Sequence, residues 1–140
     1  MDYIPKYFQP YEVVPREIYD SFNNQGKLGQ VWWLFDPRIL LTGDRIRTRY
    51  GKMVANTWWY GGTNHYRGFR PAGCKVGATW SQHRYGRALD LVPTETSVEE
   101  IRHDIITNGE NFGFITCVEV GVPWLHIDCR NYRGLLIVKP

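Results

Sequence analysis

The chain has 140 residues, enough for one domain burying roughly two thirds of its unfolded surface. Apolar residues make up 43% and aromatics 15%, which excludes a disordered chain, and no apolar run is long enough to span a bilayer. The net charge of +3 comes without a basic run or an aromatic-basic motif, so nucleic acid is not an expected partner.

Residues 1–11 hold prolines and aromatics without periodicity and are expected to form an ordered arm lying on the domain. Met1-Asp2-Tyr3-Ile4-Pro5-Lys6 lacks the basic and apolar regions of a signal peptide, so synthesis in the cytoplasm is expected. Pro15 suits the first turn of a helix over 16–23, with Ile18, Tyr19 and Phe22 on one side and Asn23-Asn24-Gln25-Gly26 as its stop. Asp36 then caps a second helix with Pro37 at its first position, arginines in its last turns and Gly51 as its end, although Gly43 inside it weakens the pattern.

The β-branched and aromatic cluster over 54–59 predicts a strand. A long loop follows through Gly61, Gly62, Pro71, Gly73 and Gly77, and its aromatics argue for order. Residues 87–92 read as a strand, with Ala88, Asp90 and Val92 on one face. Thr96 or Ser97 caps a third helix carrying Ile101 and Ile105, and Asn108-Gly109 ends it. The lone His103 in that helix is read as a surface or half-buried residue. Residues 114–120 and 124–130 form a candidate hairpin, and a last strand covers 135–138. The expected fold is α+β: one domain whose central antiparallel sheet carries the site, with helices packed on one side.

Cys74, Cys117 and Cys129 are odd in number and form no CxxC pair, which argues against a disulfide framework and fits a reducing compartment. Strand alternation turns Cys129 away from His126, so a small buried apolar role is expected for it. The six tryptophans are expected mostly in the core, with exposed ones available to line a groove.

Two segments concentrate the chemistry. In Ser81-Gln82-His83-Arg84-Tyr85-Gly86-Arg87-Ala88-Leu89-Asp90, a glycine-containing turn separates His83 from Asp90. In Trp124-Leu125-His126-Ile127-Asp128, alternation puts Trp124, His126 and Asp128 on one face. Two imidazoles and a carboxylate suit a three-ligand zinc site that keeps an open position. Taken singly, each histidine also reads as a satisfied structural side chain and Asp90 as a strand-end cap.

The pattern SxHxxGxAxD followed by WxHxD resembles the zinc D-Ala-D-Ala carboxypeptidase and L-alanoyl-D-glutamate endopeptidase family, which shares its fold with the hedgehog signalling domain. The small phage and bacterial branch is the nearest in pattern. Arg67-Gly68-Phe69-Arg70-Pro71 is similar to that family's SGYRxP segment. The resemblance covers residues 36–130; residues 1–30, the arm and first helix, carry no motif.

The resemblance implies Zn2+ on His83, Asp90 and His126. It implies Arg70 on a substrate carboxylate or the developing oxyanion, and Ser81, Trp80 and Trp124 join it as expected substrate-binding residues. The family's usual carboxylate base lies a few residues before the last histidine, often three, where this chain has Pro123. Glu119 and Asp128 are the two candidates for it. A plain three-residue turn at Gly121-Val122-Pro123 would pair Glu119 with Leu125 and face it away from the metal; a bulge near Pro123 would turn it inward. The implied activity is hydrolysis of a peptidoglycan stem peptide at the cell wall, as a carboxypeptidase or an endopeptidase, by a monomer, and a phage-encoded origin fits the branch resembled. The competing readings are a zinc-containing cell-wall-binding or virion-associated module without turnover, and a structural phage component.

Overall fold

Alternation of apolar and polar side chains makes Ala88–Pro93 (β2) and Leu125–Asp128 (β4) the central pair of strands, antiparallel with Leu89 opposite Ile127 and Leu91 opposite Leu125. The computed structural model describes residues 2–140. Its helices are Pro10–Val13 (α1), Arg16–Asn24 (α2), Pro37–Tyr50 (α3) and Val98–Thr107 (α4), and Met53–Val54 (β1), Cys117–Glu119 (β3) and Leu136–Val138 (β5) complete a sheet ordered β1-β2-β4-β3-β5.

The sheet is mixed, which corrects the expected antiparallel one: β5 runs parallel to β3. Both edges of β4 are already taken, by β2 and β3. The last strand therefore crosses back over 129–135 and adds to the free edge of β3 in the same direction. The α+β class stands.

Leu89, Leu91, Leu125 and Ile127 are fully buried and share one core with Ile39, Leu40 and Ile46 of α3 and Ile101 and Ile105 of α4. Each such side chain contributes about 1.5–3 kcal/mol. The opposite face of the same strands carries Ala88, Asp90, His126 and Asp128. The sheet thus separates the core from the site.

α3 follows its sequence signals. Asp36 accepts from Arg38 N at 2.9 Å, Pro37 opens the helix, and Gly51 at φ 88° closes it. Gly43 has a packing reason: a Cβ there would lie 2.9 Å from Phe8 Cε2 and 3.1 Å from Leu89 Cδ1. The missing side chain lets α3 approach both the arm and β2. Asp44, next to it and buried, accepts from Tyr3 Oη and Lys6 N at 2.6 Å each and from Tyr7 N at 3.1 Å. The arm is ordered because α3 holds it.

The strand expected over 54–59 is shorter. After Val54 the chain leaves β2, because Asn56 bonds elsewhere: its N to Glu12 O, its Nδ2 to Val14 O, and its Oδ1 from Arg67 N. Trp58–Tyr60 is a single 3-10 turn. Ser97 caps α4 by accepting from Glu100 N at 3.1 Å, and His103 is exposed.

The tryptophans depart from expectation. Trp58 is buried, Trp32 and Trp124 are half-buried, and Trp33, Trp59 and Trp80 are exposed. Cys129 is a buried core residue, as alternation predicts, and all three cysteines are free. No helix among the described residues is long and apolar enough to cross a membrane.

Candidate metal centre

Ser81 starts the turn that presents the first histidine. Its Oγ accepts from His83 N at 3.4 Å, a 3-10 turn spans Gln82–Tyr85, and Gly86 closes it at φ 65°. A Cβ on Gly86 would stand 1.9 Å from Leu34 O, so both conformation and space require glycine.

His83 is 2% exposed. Its Nδ1 lies 2.7 Å from Gly68 O, and a carbonyl only accepts, so Nδ1 carries the proton. Nε2 is left with its lone pair, buried and without a hydrogen-bond partner. It faces Asp90 Oδ2 at 3.2 Å. Two acceptors at that distance need a cation or a proton between them.

Asp90 and His126 are paired across β2 and β4. His126 Nδ1 is 2.8 Å from Asp90 Oδ1, and its Nε2 is 2.9 Å from Asp128 Oδ2. Donor atoms of His83, Asp90 and His126 all lie within 4.8 Å of one another, and all three residues are buried. This group could hold a metal ion. The orphaned Nε2 and the acceptor behind each imidazole fit that use, since a ligating histidine characteristically donates its other nitrogen to a carbonyl or carboxylate.

The charges of the site brace one another. Burial pushes the Asp90 carboxyl up, but the hydrogen bond from His126 and the nearby His83 outweigh it and hold it well below the usual carboxylate range. Burial also disfavours the His126 charge, yet its bonds to Asp128 and Asp90 push its pKa up to about 9. Burial again opposes the Asp128 charge, while Arg130 and His126 hold that carboxyl down at about 2. His126 is then an imidazolium between two carboxylates.

Asp128 is not placed to act as a base. It is fully buried, Arg130 Nη2 donates to its Oδ2 at 2.6 Å and Arg130 Nε to its Oδ1 at 2.8 Å, and it sits on the Nε2 side of His126. It holds the imidazole from behind. Glu119 is the acid on the open side. Cys117 pairs with Asp128 and Val118 with Ile127, which carries Glu119 opposite His126 rather than Leu125. A one-residue change of register moves a side chain to the other face. Glu119 Oε1 is 3.8 Å from His126 Nδ1, and the side chain is 20% exposed.

Arg70 arrives on a segment tied to its surroundings by backbone bonds, Phe69 N to Val13 O and Arg70 N to His83 O. Its Nε donates to Tyr66 O at 2.8 Å, its Nη1 to Ser81 Oγ at 3.3 Å and its Nη2 to Asp90 Oδ2 at 3.4 Å. Burial lowers its pKa from the ordinary arginine value, with the Asp90 charge acting against that shift. A cleft of about 740 Å³ opens over His83, Asp90, His126 and Glu119, walled by Arg70, Trp80 and Trp124. Trp80 is 76% exposed at its rim.

The structure therefore gathers every site residue expected from sequence into one cleft or directly behind it. Two supporting groups escaped that reading. Arg130 follows Asp128 by two positions, just past the end of β4, a signal that was there to use. The Gly68 carbonyl has no signal in the sequence, because a backbone acceptor is set by the path of the chain. The chain matches no protein-family model, no curated protein and no solved structure.

Proposed function

We propose that this protein is a zinc-dependent peptidase that hydrolyses peptidoglycan stem peptides. The donor set of two imidazole nitrogens and one carboxylate oxygen suits zinc in its catalytic form. When bound, zinc lowers the pKa of water and polarises a carbonyl. His83 Nε2, His126 Nδ1 and one Asp90 oxygen are the atoms that would hold it, and Gly68 O and Asp128 keep the two rings turned the right way.

Glu119 carries the reading. It is the carboxylate on the cleft side of His126, within reach of Nδ1, and it lacks the guanidinium that occupies Asp128. In this role Glu119 takes a proton from the attacking water and delivers it to the leaving amine. Arg70 offers its guanidinium to a substrate carboxylate or the developing oxyanion, already aligned by Tyr66 O and Ser81. Trp80 and Trp124 wall the groove against water. The substrate class rests on the resemblance carried by the two metal-site segments. The chain acts as a monomer on a cell-wall peptide, with no nucleic-acid or membrane partner.

The test is a digest of purified peptidoglycan by the zinc-loaded protein, read by mass spectrometry. Release of D-Ala identifies a carboxypeptidase and cleavage between L-Ala and D-Glu an endopeptidase. Glu119→Gln is expected to abolish either product while zinc stays bound. No product from the zinc-loaded wild-type chain sinks the proposal.

A further inference from the structure

The side on which Glu119 stands is decided by the connection from β3 to β4, residues 120–124. A tight turn over 121–123 would pair Glu119 with Leu125, whereas the observed register carries it to His126. The wider turn needs something to hold it open. Arg102 of α4 meets that need. It is 3% exposed, and its Nη2 donates to Val122 O at 2.9 Å and to Trp124 O at 3.0 Å. These carbonyls flank Pro123, which has no N–H to contribute to a hairpin. Among the described residues, no other side chain hydrogen-bonds to the backbone of this turn.

The guanidinium is held in place in turn. Its Nη1 pairs with Glu99, three residues earlier on α4, and Ile101 and Ile105 fix the helix in the core. Glu99 is 79% exposed, so the half-buried Val122 and Trp124 supply the more sheltered partners of this buried cation. We propose that Arg102 is a positioning residue for Glu119, clamping the Val122 and Trp124 carbonyls so that the wide turn keeps Glu119 on the metal face. The proposal rests on the peptidase reading, in which Glu119 is the base. The ligands themselves are held from elsewhere, by the β2–β4 pairing, Gly68 O and Asp128. Loss of Arg102 therefore misplaces the base and spares the metal.

The experiment is a double-mutant cycle in the zinc-loaded full chain, with backbone NMR of each variant. Arg102→Met is expected to lower kcat by about 100-fold, the scale of an ångström-sized misplacement, with KM and zinc content kept. It should also lose the cross-strand proton contacts between residues 119 and 126. Arg102→Lys, which keeps a cation for the same carbonyls, should regain part of the rate. In a Glu119→Asp background, Arg102→Met should cost far less than in wild type, because the residues act as a unit. Equal losses in both backgrounds, or contacts retained in Arg102→Met, overturn the clamp. If Arg102→Met does not fold, Arg102→Lys in the same cycle decides by the same criteria. A zinc-loaded wild type without turnover overturns the peptidase reading instead, and the NMR contacts then decide the clamp alone.

Discussion

His83 and His126 meet Asp90 through different ring nitrogens: Nε2 of His83 stands 3.2 Å from Oδ2, and Nδ1 of His126 stands 2.8 Å from Oδ1. Each choice is fixed from behind, by Gly68 O on His83 and by Asp128 on His126. The difference follows from how the rings arrive, one from a 3-10 turn and the other from a central strand.

Metal binding should stabilise the fold through the orphaned nitrogen. With zinc at 100 times its dissociation constant the expected gain is about 2.7 kcal/mol. His83→Ala removes Nε2 and should abolish the zinc-dependent rise in Tm, while cutting zinc content measured after gel filtration. A full rise in the variant would mean that the metal sits elsewhere.

The gain from zinc should depend on pH in a stated direction. Against the cost of burial, the bonds to Asp128 and Asp90 raise the His126 pKa to about 9 from its ordinary 6.5. Its imidazolium therefore contributes stability that is fully present below about 6.5 and is lost as pH rises through about 9. Metal needs the unprotonated Nδ1, so affinity rises over the same interval. Tm measured with chelator should fall between these pH values, and the separation between chelator and zinc curves should widen. Parallel curves would contradict an imidazolium at His126 in the presence of chelator.

Asp128→Asn keeps an acceptor shape behind His126 and removes the charge that Arg130 and the imidazole share. Zinc affinity, measured by competition with a coloured chelator, should fall 10–100-fold, the usual range for such supporting groups. The result also separates the two acids: with Asp128 behind the ring, the main loss is in metal binding, whereas Glu119→Gln loses turnover with zinc retained.

Much of this was legible in the sequence, for a physical reason. Cap residues, strand alternation and the glycine in the turn are local signals, and they locate α3, α4, β2, β4 and the three candidate ligands. Pairings between distant segments are not local. Nothing near Leu136 reveals that β5 runs parallel to β3, and nothing near Glu119 reveals a register held by an arginine on α4. The sequence alone therefore leaves open whether Glu119 faces away on a plain turn or inward past a bulge near Pro123. The strand expected at 54–59 failed similarly, since Asn56 is claimed by Glu12, Val14 and Arg67 rather than by a neighbouring strand.

Gly86→Ala tests the turn beneath His83. The left-handed conformation costs a side chain about 1–2 kcal/mol, and the Leu34 carbonyl in the path of a Cβ adds to it. Urea unfolding should show a loss of at least about 2 kcal/mol. Zinc affinity should fall with it, because Arg70 N bonds to His83 O from the same turn.

Asp44→Ala tests whether the arm belongs to the fold or merely lies on it. Asp44 is 4% exposed and gathers three donors from Tyr3, Lys6 and Tyr7. Burial and the bond to Asp44 push the Tyr3 phenol up to about 12. Removing the carboxylate strands those donors, and charge-assisted bonds of this kind contribute about 1.5–3 kcal/mol each, so a loss of about 3 kcal/mol is expected. The consequence should reach the site. Phe8, at the end of the arm, packs on Gly43, and Val13 O farther along receives Phe69 N, next to the Arg70 that reaches Asp90. Hydrogen exchange should therefore quicken at residues 3–8 first and then at 67–70, while the α4 amides stay protected. If exchange at 67–70 is unchanged although the arm is released, the arm is an independent strap and the site is supported by the sheet and the turn at Gly86 alone.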